Sequence, residues 1–319
     1  MLESPRIAIV GPGAIGLFYG ALLAKAGASV NLLARSDLSV LRSRGIVVQR
    51  GGATHTVTAP TVVAQASPAE IGPVDLVIVT LKTTANDRFE ELIPPLLGPD
   101  TAILTLQNGL GADEHLARLF GASRVLGGLA FIACTRVAPG EVQCLHPGTI
   151  TLGEFGRPAG ERARAIAGWF ERAGIPTTVT DRLAEARWQK LVWNVPFNGL
   201  SIACGGLSTD RIVADPVLSA EVRALMDEVA AAARALGHTV TEEFIRSQID
   251  ITPSLGAYRP SSLIDWQAGR EVEIEAIWGE PLRQARAAGA PTPRLALLHA
   301  LLRTLCNQRR RDSCPPTKP

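Results

Sequence analysis

The chain has 319 residues, enough for two domains of ordinary size, each with its own core. Its 32 basic and 30 acidic residues leave a formal charge of +2, which gives no general attraction to nucleic acid, anionic membranes or acidic polymers. With no apolar run near the ~18 residues of a membrane span, no signal-peptide pattern, and five cysteines lacking any CxxC spacing, the expectation is a cytoplasmic protein without a metal, acting on small molecules.

The first predicted element is the apolar strand Ile7-Ala8-Ile9-Val10, which runs into Gly11-Pro12-Gly13-Ala14-Ile15-Gly16 and then into a helical segment from Leu17. Strand, glycine turn and helix in that order form a cradle for the pyrophosphate of a dinucleotide. Gly11 permits the tight turn, Gly13 lets the backbone approach the ligand, and Gly16 lets helix and strand pack closely, so that the positive helix end faces the phosphates. A second strand covers Ala28 to Leu33, and just past it, where a carboxylate would grip a ribose 2′-hydroxyl, stands Arg35. A guanidinium there favours the 2′-phosphate of NADP over NAD, although taken alone Arg35 also fits a solvated loop charge.

A glycine turn at Gly51-Gly52 leads to Val74-Asp75-Leu76-Val77-Ile78-Val79-Thr80-Leu81-Lys82, whose near-continuous apolar character suits a strand buried on both faces of a parallel sheet. Another strand, Ala102 to Leu106, ends in Gln107-Asn108-Gly109-Leu110-Gly111. Ligands in open α/β sheets sit beyond the carboxyl ends of strands, which turns Lys82 and Asn108 toward the cofactor crevice; singly, each also reads as an ordinary loop residue. From about 124 to 180 the pattern is β-rich, punctuated at Pro139-Gly140 and Pro147-Gly148, with one helix from Glu161 to Ala173, and extends the same sheet.

Helical periodicity dominates from Asp181. Asp215-Pro216 supplies an N-cap followed by a proline suited to the first helical position, and the apolar spacing after it runs to a stop at Gly237. The fold class expected is α/β: an N-terminal Rossmann-type doubly wound sheet over 1–180, an all-helical C-terminal domain over 181–307, and a flexible polar tail over 308–319 that carries Arg309-Arg310-Arg311. In the helical part Lys190, Asn194 and Asn198 stand at four-residue steps and would line one helix face amid Leu, Val, Trp and Phe. By spacing alone that stripe fits a solvated face with a snorkelling lysine more readily than a site, and Pro196 should kink or end the helix before Asn198.

Taken together, the N-terminal GxGxxG, Thr80-Leu81-Lys82, Gln107-Asn108-Gly109-Leu110-Gly111, Trp188-Gln189-Lys190-Leu191 with Asn194, and Ser261-Ser262 through Asp265 to Glu273 resemble the ketopantoate reductase (2-dehydropantoate 2-reductase) family, in the family's order, from about residue 6 to 290. The resemblance implies an NADPH-dependent reduction of a 2-keto acid to a 2-hydroxy acid, as in the pantothenate route. It implies Lys190 as general acid and Glu273 as its orienting partner, with Asn194 and Asn198 positioning the substrate and Ser261 hydrogen-bonding its carboxylate. Lys82 and Asn108 would lie by the nicotinamide. Ser208 and Trp278 depart from the family pattern, as does Pro196 with Gly199, and these changes are expected to alter the pocket around the reacting groups. A reductase of another keto acid, or an NADP-binding sensor without turnover, remain alternative readings, and the helical domain offers surfaces for a homodimer.

Overall fold

The computed structural model describes residues 4–58 and 62–313, and the chain divides into two compact units. The first comprises residues 1–107 and 112–183, the second residues 108–111 and 184–319. The segment Asn108–Gly111 therefore groups with the helices, although it follows the end of a sheet strand, and the division falls at 183/184 where the sequence suggested 180/181.

Ten strands among the described residues build one sheet in the first unit: β1 Arg6–Val10, β2 Ser29–Leu33, β3 Ile46–Arg50, β4 Ala53–Val57, β5 Val62–Gln65, β6 Val74–Val79, β7 Leu97–Thr105, β8 Val125–Ala138, β9 Glu141–Glu154 and β10 Thr177–Val179. Their order is β4-β3-β9-β8-β7-β6-β1-β2-β5, with β10 beside β9. The stretch from β5 to β8 is parallel throughout. Within it β1 lies between β2 and β6, with β2 and β5 built outward on one side and β6, β7 and β8 on the other, and the glycine turn follows β1 at this reversal of strand order.

Period-two alternation explains the uninterrupted apolar runs. Ile7 and Ile9 of β1, with Leu76 and Ile78 of β6, enter one core, while Ala8, Val10, Val77 and Val79 enter a second core on the opposite face. The hairpin β3–β4 brackets Gly51-Gly52 and is antiparallel. The sequence suggested only its turn, because β4 reads Ala53-Thr54-His55-Thr56-Val57 and is largely exposed, with no apolar face to betray it. Pro147-Gly148, expected as punctuation between strands, lies inside β9, where the register against β8 shifts between Phe131 and Ala133. Gly148 takes φ +68° there, and a Cβ would stand 2.2 Å from Phe131 O, so the extra residue is absorbed as a bulge.

The second unit is helical. Its first helix, Leu183–Ala203, continues through Pro196, so it does not end before Asn198 as one of the two expected outcomes had it. A mid-helix proline costs about 3 kcal/mol, while each large side chain buried gains about 1.5–3 kcal/mol. Leu191, Val192, Val195 and Phe197 around it are all buried in the unit's core, which outweighs the lost bond. Asp215 caps the helix Pro216–Ala235 by accepting the N–H groups of Val217 (2.9 Å) and Leu218 (3.0 Å). The last helix, Pro293–Ser313, runs into the segment expected to fray from 308: Arg309 donates to Gln267 O at 3.0 Å, its guanidinium 4.5 Å from the centre of the Trp266 ring. The rest of that expected tail, 314–319 with Cys314, lies outside the described residues. Among the described residues no helix is long and apolar enough to cross a membrane.

Candidate functional site

In the first unit the turn from β1 into the helix Ala14–Lys25 uses its three glycines for different ends. Gly11 adopts φ +83°, and a Cβ on it would stand 2.8 Å from Leu81 Cα. At Gly16 a Cβ would meet Thr80 Oγ1 at 2.5 Å and Ile9 Cγ2 at 2.8 Å. Both glycines are demanded by protein packed against protein. Around Gly13, by contrast, a Cβ would find nothing nearer than Gly11 O at 4.0 Å. Gly13 is also the helix N-cap, it gives no side-chain cap, and the first turn holds no acidic residue. An uncapped helix start with open space over its N-cap glycine suits the pyrophosphate of a dinucleotide, the anion most stabilised there. Thr80 secures the turn by donating from Oγ1 to Gly11 O at 2.7 Å.

Arg35 is exposed two residues past the end of β2. The nearest acid after it, Asp37, is buried and spent on structure: it receives Arg136 at 2.5 Å and Gly140 N–H at 2.9 Å. The cation, not the carboxylate, is thus the charged group at the surface. Lys82 is exposed three residues past β6. Buried Gln107 fixes the segment before it, donating from Nε2 to Leu81 O (2.9 Å) and Asn86 Oδ1 (2.7 Å). Because Leu81 also backs Gly11, Gln107 supports the cradle from behind, a role its place in the Gln-Asn-Gly run did not disclose.

In the second unit Lys190 Nζ donates to Asn108 Oδ1 at 3.0 Å, joining residues 82 positions apart. Burial pushes the lysine down to about 7, and the Arg187 guanidinium, one helical turn earlier, pushes the same way; the Glu273 carboxylate pulls it back up. Arg187 and Glu273 are 5% and 6% exposed, so the three charges influence each other in a poorly solvated place where charge is costly. A lysine near its midpoint at neutral pH can give up a proton and recover it. Arg187 was not singled out from the sequence; its three-residue spacing from Lys190 was the only signal.

Asn194 is partly buried one turn beyond Lys190, whereas Asn198 is buried and its Oδ1 accepts the Ser262 N–H at 3.1 Å. That bond holds the start of the helix Ser261–Gln267, whose first residue, Ser261, is exposed. The helix face anticipated from the four-residue spacing is therefore graded, from Lys190 beside the Asn108 loop to Asn198 under the Ser261 helix. Ser208 precedes the short helix Thr209–Ala214 and donates to Asp210. Trp278, one of the departures from the family pattern, is fully buried in the core of the unit. Among the described residues no cluster of three or more His, Cys, Asp or Glu could hold a metal ion.

The family described as ketopantoate reductase PanE/ApbA matches residues 7–157, and its C-terminal counterpart matches 182–305. A 2-dehydropantoate 2-reductase of Nostoc is 36% identical over 314 residues, covering 97% of this chain and 98% of the relative. A crystal structure of 2-dehydropantoate 2-reductase from Geobacter metallireducens superposes with a TM-score of 0.90 at 44% identity, covering 94% of this chain and 99% of that one. A D-mandelate dehydrogenase solved with NADH and anilino(oxo)acetate shares the fold, with a TM-score of 0.88 at 22% identity over 96% of this chain and 99% of that one.

Proposed function

Because the chain belongs to the ketopantoate reductase family, a family of oxidoreductases on a Rossmann-type fold, we propose that it reduces 2-dehydropantoate to pantoate with NADPH, Lys190 being the general acid. The observation that carries this reading is the lysine: partly buried, held 3.0 Å from Asn108 Oδ1, flanked by Glu273, and lowered to about 7.

When bound, the dihydronicotinamide supplies the hydride. The turn Gly11-Pro12-Gly13-Ala14-Ile15-Gly16 would hold the pyrophosphate, Arg35 the 2′-phosphate, and Lys82 and Asn108 the nicotinamide end. Lys190 gives its proton to the carbonyl oxygen of the keto acid and, as an ammonium, lowers the energy of the alkoxide while charge develops there. Glu273 favours the charged lysine and accepts a hydrogen bond from the substrate hydroxyl. Asn194 and Ser261 bind the substrate, Ser261 at its carboxylate. Asn198, whose Oδ1 is engaged by Ser262, contributes through its amide nitrogen and through the helix start it holds.

The test is NADPH consumption with 2-dehydropantoate, run beside Lys190→Ala. Turnover in the native chain that falls at least ~10²-fold in the variant, with NADPH still bound, is the expected result. Turnover confined to another 2-keto acid would change the substrate; tight NADPH binding with no keto acid consumed would leave a nucleotide sensor.

A further inference from the structure

Two residues after Glu273 the chain makes a π-turn, Glu275–Gly279. Such turns insert one extra residue into a helix and recur at functional sites. This one touches both of the other segments that carry the polar cluster. Its Ala276 O accepts the Leu110 N–H at 2.9 Å, and Gly109 lies so close that a Cβ would stand 2.2 Å from that oxygen. The loop so held presents Asn108 to Lys190. Two residues on, the Trp278 indole Nε1 donates to Val195 O at 3.0 Å, next to Asn194 on the helix that bears Lys190.

The packing is fitted to that indole. Gly199, on the same helix, would with a Cβ stand 3.0 Å from Trp278 Nε1 and 2.6 Å from Leu298 Cδ2. Trp278 and Gly199, which looked like separate departures from the family pattern, are two halves of one contact. We propose that Trp278 is a positioning residue for the reduction: its bond to Val195 O fixes the helix carrying Lys190 against the segment carrying Glu273. Lysine, asparagine and glutamate then all take their places from one five-residue turn. The bond cannot be exchanged for one to water, because Trp278 is wholly buried and an unpartnered indole N–H there is costly.

The inference rests on Lys190 acting as the general acid, and the charged groups bearing on that lysine are Arg187 on its own helix and Glu273, two residues before the π-turn. The experiment compares Trp278→Phe, which keeps a ring and deletes the donor, with Gly199→Ala, which wedges the same contact from the helix side. Met226→Ala, in the buried face of the helix Pro216–Ala235, serves as a control that loosens the same core elsewhere. For each, kcat is followed from pH 5.5 to 9.5 alongside Tm and the Kd for NADPH. In both junction variants kcat should fall roughly tenfold, less than the ~10²-fold that a 1 Å displacement of a reacting group can cost. The alkaline arm of the profile should move, and the NADPH Kd should stay within about twofold, below the tenfold step of 1.4 kcal/mol. Met226→Ala should lower Tm and leave the profile in place. If Trp278→Phe does not fold, Gly199→Ala decides alone. A lowered Tm with unchanged kcat and profile would reduce Trp278 to a packing residue. If instead Lys190→Ala retains full turnover, it is the general-acid assignment that fails.

Discussion

The cradle after β1 and the polar cluster around Lys190 work on opposite principles. The first depends on atoms that are missing: Gly11 and Gly16 leave room for Leu81 and Thr80, and over Gly13 no protein atom stands nearer than Gly11 O at 4.0 Å. The second depends on groups that are present and poorly solvated, a lysine under the opposing influence of an arginine and a glutamate, with an asparagine at 3.0 Å. A backbone site is broken by adding a methyl group, and a charged site by removing a side chain. Backbone N–H groups also carry no titration, so the protein groups through which pH should act lie in the second region.

The largest effect should come from deletion in the charged region. Beyond the loss expected of Lys190→Ala, the native enzyme should show opposite pH profiles in its two directions. Reduction needs the ammonium and should fall as pH rises through about 7, while oxidation of the 2-hydroxy acid needs the free amine and should rise there. Initial rates in both directions over pH 5.5–9 check this; parallel profiles would remove Lys190 from proton transfer.

Next comes the ribose end of the cradle. Arg35→Ala should weaken NADPH by about 1.5–3 kcal/mol, the range of a hydrogen bond to a charged group, and leave NADH nearly untouched. Titration calorimetry with both nucleotides decides it, and equal losses would take the 2′-phosphate away from Arg35.

The glycines separate folding from binding. Gly16→Ala should lose about 1–3 kcal/mol of stability, because the methyl collides with Thr80 and Ile9 in a packed core. Gly13→Ala meets nothing nearer than Gly11 O at 4.0 Å, an ordinary contact, so its Tm should hold while NADPH affinity drops at least about tenfold. A fall in Tm without a change in affinity for Gly13→Ala would show that nothing approaches the turn there.

The smallest effect is on stability. With Lys190 lowered to about 7, both folded and unfolded chains hold its proton below that pH, and the cost of burying the charge is felt in full. As pH climbs from 7 toward the ~10.4 of an unfolded lysine, the folded chain releases the proton first and the cost fades. Lys190→Met should therefore be more stable than the native chain by about 1–2 kcal/mol at pH 6, an advantage that shrinks by pH 9–10. Denaturant midpoints at pH 6, 8 and 10 measure it.

Much of the cradle was legible because its determinants are consecutive: strand, glycines and helix lie within twenty residues, and each glycine acts on its immediate surroundings. The caps were legible for the same reason, as Asp215 shows. The exposed strand β4 was not, since no alternation marks a strand with neither face buried. The spacing of Lys190, Asn194 and Asn198 gave a shared helix face, yet their unequal surroundings arise from the Asn108 loop and the Ser261 helix, far away in sequence.

By itself, then, the sequence determined what short-range sterics and periodicity decide: a buried parallel strand leading into a glycine turn, an arginine past the second strand, and a helical second half. Only the tertiary structure decided that Asn108 groups with the helices, that Pro196 is carried through an unbroken helix, that Trp278 fills the space Gly199 leaves, and that Lys190 titrates near neutrality. The reason is physical: desolvation, charge coupling and close packing depend on which segments meet, and the segments that meet here lie tens of residues apart along the chain.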